Sequence, residues 1–199
     1  MPEDPLRQPL TARFTEALML ACLLHRSQAR KGTQIPYVSH LLGVASLALE
    51  HGATEDEAIA ALLHDAVEDQ GGSRVAMLIE DKFGRAVADI VRACSDTDVE
   101  PKPPWQARKE AYIAHVRTAP HSVRLVSACD KLHNARSILG DYREHGESLW
   151  DRFSGGRKGT LWYYRTLVEA FRTHGRSPLI DDLDRVVTEL EQLCRAGAS

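Results

Sequence analysis

Ala60-Ala61-Leu62-Leu63-His64-Asp65-Ala66-Val67-Glu68-Asp69 is the stretch on which the fold turns. Ile59 to Leu63 is apolar on every side, as a helix surrounded by other helices is. It then ends in four titratable groups within six residues. Residues four apart share a helix face, so His64 lines up with Glu68 and Asp65 with Asp69. A buried charge without a partner is costly, and buried charges are usually paired or bound to metal. A divalent cation would remove that cost.

Helical periodicity extends outward in both directions. Upstream, Thr54-Glu55-Asp56-Glu57 fits a capping box that starts this helix. A helix from Ser39, as its cap, to His51 precedes it and stops at Gly52, and Phe14–Ala29 reads as the first helix. Downstream, Gly71-Gly72 ends the region. Ser73 can cap a helix to Phe83-Gly84, and Arg85–Cys94 follows. Pro101, Pro103 and Pro104 mark a loop, which we take as internal to one domain. Helices then cover Trp105–Thr118, His121–His145, Arg157–His174 and Pro178–Arg195, with a joint at Ser154-Gly155-Gly156. No strand pattern of useful length interrupts them. The fold class is all-α, a bundle of about eight to ten helices.

Composition narrows the function classes. The 199 residues carry 25 Lys and Arg against 28 Asp and Glu, a net charge of −3. That balance excludes a duplex-coating basic protein and leaves room for a local basic pocket. The longest apolar run, Ala17 to Leu24, is far short of the about 20 residues that span a bilayer. Met1-Pro2-Glu3-Asp4 lacks the pattern of a signal peptide. Cys22, Cys94, Cys129 and Cys194 form no CxxC pair and read as reduced core residues, which points to the cytoplasm.

Two further segments bring metal-ligand residues into helices. They are Tyr37-Val38-Ser39-His40 and Asp130-Lys131-Leu132-His133-Asn134. Leu125, Val126, Cys129 and Leu132 form an apolar stripe, with Asp130 and Asn134 four apart beside it. Mixed imidazole and carboxylate donors suit Mn²⁺, Fe²⁺ or Zn²⁺. Each residue also has a simpler reading. His40 could be an N-terminal capping residue, and Asp130 could pair with Lys131 or Arg136. His25 reads as structural, and His51, His115, His121, His145 and His174 as surface histidines.

The order His…His-Asp…Asp resembles the HD phosphohydrolase superfamily. More narrowly, the chain is similar to the hydrolase domain of the Rel/SpoT alarmone enzymes and to the stand-alone small alarmone hydrolases, including the metazoan SpoT-like ones. Four blocks carry the resemblance: Arg30 through His40, Ala60 through Asp69, Phe83-Gly84-Arg85-Ala86-Val87, and Asp130 through Arg136. They span most of residues 14–140, with closing helices over 141–199, and the whole of 1–199 reads as one HD-type domain. Leu41 stands where many relatives have proline after the first histidine.

The resemblance implies one Mn²⁺ held by His40, His64, Asp65 and Asp130. It gives Glu68 and Asp69 the attacking water, and gives Tyr37 and Asn134 contacts with the nucleoside. Arg30 and Lys31 would meet the guanine or nearby phosphates. Arg157 and Tyr163-Tyr164 fall where relatives supply a substrate-binding arginine and an aromatic. Arg108 and Lys109 are cations available to distal phosphates, or ordinary surface charges. Trp105 is a lid residue or simple packing. The implied reaction hydrolyses the 3′-pyrophosphate of (p)ppGpp to GDP or GTP and pyrophosphate. The alternatives are the same chemistry on (p)ppApp or on the 2′-phosphate of NADPH, and a silent nucleotide sensor. The partner in each case is a small nucleotide, with no nucleic acid and no membrane. At 199 residues, a hydrolase without a synthetase domain is expected.

Overall fold

The structure is a computed structural model, and it describes residues 10–95 and 103–197. Among these residues it is all-helical, with ten α-helices, one 3-10 helix and a single isolated bridge between Ala29 and Pro36. Among the described residues no helix is long and apolar enough to cross a membrane. Pro101 lies outside the described residues. The chain divides into two compact units. The first takes residues up to Arg30 and Gln34–Ser95, and the second takes Lys31–Thr33 and the chain from Asp96 onward.

In the first unit the helices are α1 (Ala12–Leu24), α2 (Val38–Glu50), α3 (Glu55–Leu63), α4 (Ala66–Gln70), α5 (Gly72–Phe83) and α6 (Arg85–Cys94). α3 is the central element and packs against α1, α2 and α6. Ala58 through Leu63 are completely buried, as an all-round apolar helix requires. Its start is the capping box read from the sequence. The Thr54 hydroxyl accepts from the Glu57 N–H, and the Glu57 carboxylate accepts from the Thr54 N–H at 2.8 Å. Arg13 then ties α1 to this end, with Glu55 at 3.1 Å, Asp56 at 2.8 Å and the Phe83 carbonyl at 2.8 Å. Gly84 joins α5 to α6 at φ +88°, a backbone angle that favours glycine.

The second unit contains α7 (Trp105–Val116), α8 (His121–His145), the 3-10 helix (Gly146–Arg152), α9 (Gly156–Arg172) and α10 (Pro178–Ala196). α8 packs on α9, α10 and the 3-10 helix, and α9 packs on α7 and α10. The stripe Leu125, Val126, Cys129 and Leu132 is buried on α8. Arg165 of α9 reaches Asp184, Thr188 and Glu191 of α10. Gly155 and Gly159 are small for a reason: a Cβ on Gly155 would stand 2.7 Å from the Trp105 ring, and one on Gly159 3.1 Å.

Several sequence expectations need correction. The first helix stops at Leu24, not Ala29. The chain there turns back on itself, with the Tyr37 N–H bonded to the Gln28 carbonyl and the Arg30 N–H to the Ile35 carbonyl. Ser39 lies inside the first turn of α2, whose cap residue is Tyr37, and Ser73 lies inside α5 after Gly71. A 3-10 helix at Gly146–Arg152, which no periodicity marks, follows α8. All four cysteines are free, but Cys22 is exposed and Cys94 only half-buried.

Candidate active site

α3 ends at the residue where the chemistry begins. His64 keeps helical angles but closes α3, Asp65 follows at φ −96° and ψ −3°, and α4 starts at Ala66. The expectation of one continuous helix carrying His64 and Glu68 on a shared face is therefore replaced by a two-helix junction. The break turns Asp65 toward the imidazoles. His40, in the first turn of α2, is fully buried, and α2 packs on α3. The Nε2 atoms of His40 and His64 are 3.3 Å apart, and Asp65 Oδ2 lies 3.0 Å from His64 Nε2 and 3.6 Å from His40 Nε2.

Backbone chemistry sets the polarity of this cluster. His64 Nδ1 is 2.8 Å from the Ala61 carbonyl. A carbonyl can only accept, so Nδ1 carries the proton and Nε2 offers its lone pair to the cluster. The three side chains each offer one donor atom, all within 4.8 Å of one another. Two buried imidazole nitrogens and a carboxylate oxygen, converging in this way, fit a divalent first-row cation.

Tyr37 stands at the same corner. Its hydroxyl donates to Asp65 Oδ2 at 2.5 Å, and its ring stacks on His25 at 5.3 Å. Asp69, on α4, accepts from the Gln28 amide at 2.8 Å. Loss of surrounding water raises the pKa of Asp69, the Gln28 hydrogen bond opposes that rise, and the charges of Asp65 and Glu68 add to it. Glu68 is half-buried on the same short helix. Arg30 is half-buried at the start of the following turn, and Lys31 is exposed at its tip.

The second unit holds the remaining residues singled out from the sequence. Asp130 is buried on α8. Its Oδ1 accepts from the Asn134 amide at 2.6 Å and its Oδ2 from Lys131 at 2.5 Å. The lysine pairing is one of the two simpler readings left open by the sequence. Burial alone would lower the pKa of Lys131, but the Asp130 charge outweighs it and holds the ammonium well above its ordinary value. A cavity of about 220 Å³ is lined by Lys109, Lys131, Asn134 and Tyr164, together with Trp105, Phe153, Thr160 and Tyr163. Lys109 Nζ sits 5.0 Å over the Tyr163 ring. Arg157 does not line this cavity; it reaches Glu147 at 3.2 Å and the Cys194 carbonyl at 2.5 Å. Arg108 bonds the Pro103 carbonyl at 3.2 Å.

The sequence matches the HD domain family over residues 17–161. The chain belongs to the HD domain family. That range takes in His40, His64, Asp65, Glu68, Asp69, Asp130 and Asn134. Among curated relatives, guanosine-3′,5′-bis(diphosphate) 3′-pyrophosphohydrolase MESH1 of Drosophila melanogaster is 35% identical over 131 residues, covering 64% of this chain and 70% of that one. The bifunctional (p)ppGpp synthase/hydrolase SpoT of Escherichia coli is 29% identical over 199 residues, 97% of this chain and 24% of its own length. A solved structure described as a metazoan ortholog of SpoT that hydrolyzes ppGpp superposes with a TM-score of 0.77. It is 28% identical and covers 92% of this chain and 98% of its own.

Sequence reasoning missed the polar neighbours of this HD site. Gln28 and Gln70 carry no metal-ligand signature, and Gln28 meets Asp69 across 41 positions. Phe153 and Thr160 lie in the cavity lining without any motif to mark them. Gly155 and Gly159 are the residues whose small size lets the Trp105 ring approach.

Proposed function

We propose that this HD domain protein is a metal-dependent hydrolase of the 3′-pyrophosphate of (p)ppGpp. One water is consumed, the 3′-hydroxyl is restored, and pyrophosphate leaves GDP or GTP behind. The observation that carries the reading is the convergence of His40, His64 and Asp65 with Glu68 and Asp69 on the next turn of chain. It is supported by relatives that bear that activity in their names.

In this reading His40, His64 and Asp65 hold the cation, and the family motif adds Asp130 as a further ligand. Mn²⁺ is the ion we assign. When bound, such a cation lowers the pKa of coordinated water and polarises a phosphoryl oxygen. The chain's own residues do the rest. The Ala61 carbonyl keeps the proton on His64 Nδ1, and the Tyr37 hydroxyl steadies Asp65. Glu68 and Asp69 orient the attacking water and take its proton, which is worth about 10²–10⁴-fold in such reactions. Lys109, Asn134, Tyr163 and Tyr164 offer the cationic, amide and aromatic groups that a nucleotide needs. Arg30 and Lys31 are assigned to the guanine or phosphates, whereas Arg157 is assigned to holding α9 against α10. We take residues 1–199 as one HD-type domain, and the cytoplasm as its compartment.

The test is incubation of the purified protein with ppGpp, ppApp and NADPH, each with Mn²⁺ and with chelator. Pyrophosphate from ppGpp, abolished by chelator and by Asp65→Ala, is the expected result. Phosphate from NADPH alone, or no turnover of any substrate, would overturn it.

A further inference from the structure

Beside the metal-ligand cluster, the first unit contains a second polar arrangement that no metal or motif accounts for. Gln28 lies in the short turn after α1. Its amide nitrogen donates to Asp69 Oδ2 at 2.8 Å. Its amide oxygen is 2.6 Å from Gln70 Nε2 and 2.6 Å from His25 Nδ1. These contacts fix one another. Asp69 can only accept when ionised, so the Gln28 NH₂ must face it and the Gln28 oxygen must face the other two groups. That oxygen accepts from Gln70, and His25 must then carry its proton on Nδ1. His25 is 2% exposed, so the imidazole cannot exchange this donor role with bulk water.

The main chain of Gln28 makes a second connection. Its carbonyl accepts from the Tyr37 N–H at 2.9 Å. Tyr37 stacks on His25 and donates to Asp65. A single residue thus braces both carboxylates: Asp69 through its side chain, and Asp65 through Tyr37. Ordinary packing would not require the amide oxygen to collect two donors while its nitrogen points at a carboxylate.

We infer that Gln28 is a positioning residue for the hydrolytic reaction. Backed by His25 and Gln70, it holds the Asp69 carboxylate aimed for the attacking water. The inference rests on the hydrolase reading above. It requires that removing the Gln28 amide weaken the chemical step and leave nucleotide binding intact, because Asp69 and not Gln28 meets the water. It also requires that the loss pass through Asp69.

The experiment is a double-mutant cycle with Gln28→Met, which keeps the shape and removes the amide, and Asp69→Asn. Turnover of ppGpp with Mn²⁺ and thermal melting are measured for wild type, both single variants and the double variant. Gln28→Met is expected to lower kcat about 10–100-fold, the range seen when a supporting hydrogen bond is removed from a metal site. KM should stay within about twofold. The double variant should be no slower than Asp69→Asn by more than about twofold. Gln70→Met, which leaves Gln28 and its backbone contacts in place, should lower kcat by a smaller factor. A folded Gln28→Met with wild-type kcat, or losses that multiply in full in the double variant, would overturn the inference while wild-type activity upholds the functional reading. Should Gln28→Met fail to fold, a Gln70→Met enzyme with unaltered kcat overturns it instead. A wild type that releases no pyrophosphate removes the functional reading itself, and the inference with it.

Discussion

At the level of single residues, Asp69 gives a signed prediction. Its folded-state pKa is raised, chiefly by loss of surrounding water. A folded state with the higher pKa binds more protons than the unfolded chain, so stability falls as pH rises through that window. The contribution is fully present below the ordinary carboxylate range and is lost above the raised value. Metal-free Asp69→Asn should therefore melt above wild type near neutral pH, and the gap should close on acidification to below about pH 4, the ordinary aspartate value. Melts across that range check it, and a gap independent of pH would refute the assignment. A second residue-scale prediction concerns the cluster itself: His64→Ala or Asp65→Ala should abolish saturable Mn²⁺ binding in calorimetry. His40, His64 and Asp65 were legible in the sequence, because titratable groups after an apolar run stand out. Gln28 and Gln70 were not, since neutral amides on a turn and a short helix look like any surface residue until the chain brings them together.

At the level of elements, the sequence was most readable where side chains close hydrogen bonds locally. Thr54 and Glu57 declare the start of α3, and Ser177 with Pro178 declares the start of α10. The ends were harder. No glycine or proline marks the break between α3 and α4, because tertiary contacts around His64 and Asp65 make it. Likewise α1 stops at Leu24 although Gln28 and Ala29 suit a helix, because the Tyr37 and Arg30 backbone bonds draw the chain into a turn. Two substitutions test this scale. Thr54→Ala removes a cap worth about 1 kcal/mol and should lower the urea midpoint without altering the slope. Gly155→Ala puts a Cβ against the Trp105 ring, which must then shift. Altered tryptophan emission with a raised KM is expected, while unchanged emission would deny the close approach.

At the level of the whole molecule, composition was informative about exclusions and silent about the partition into two units. The unit boundaries at Arg30–Gln34 and Ser95–Asp96 follow three-dimensional contacts. The second falls just before the proline loop at Pro101, Pro103 and Pro104, which the sequence marks as an interruption but not as a boundary. The HD match from 17 to 161 runs through both units. A cation that binds only the folded state adds about 2.7 kcal/mol at one hundred times its dissociation constant. For a chain of 150–250 residues each kcal/mol is worth about 2–4 °C, so Mn²⁺ should raise the melting temperature by roughly 5–11 °C. Chelator should reverse the rise, and Asp65→Ala should not show it. Asp130→Ala carries the further information. As a ligand, its loss must shrink the Mn²⁺-dependent rise. As no more than the partner of Lys131, its loss lowers the melting temperature equally with and without the ion, and that result would remove Asp130 from the metal site.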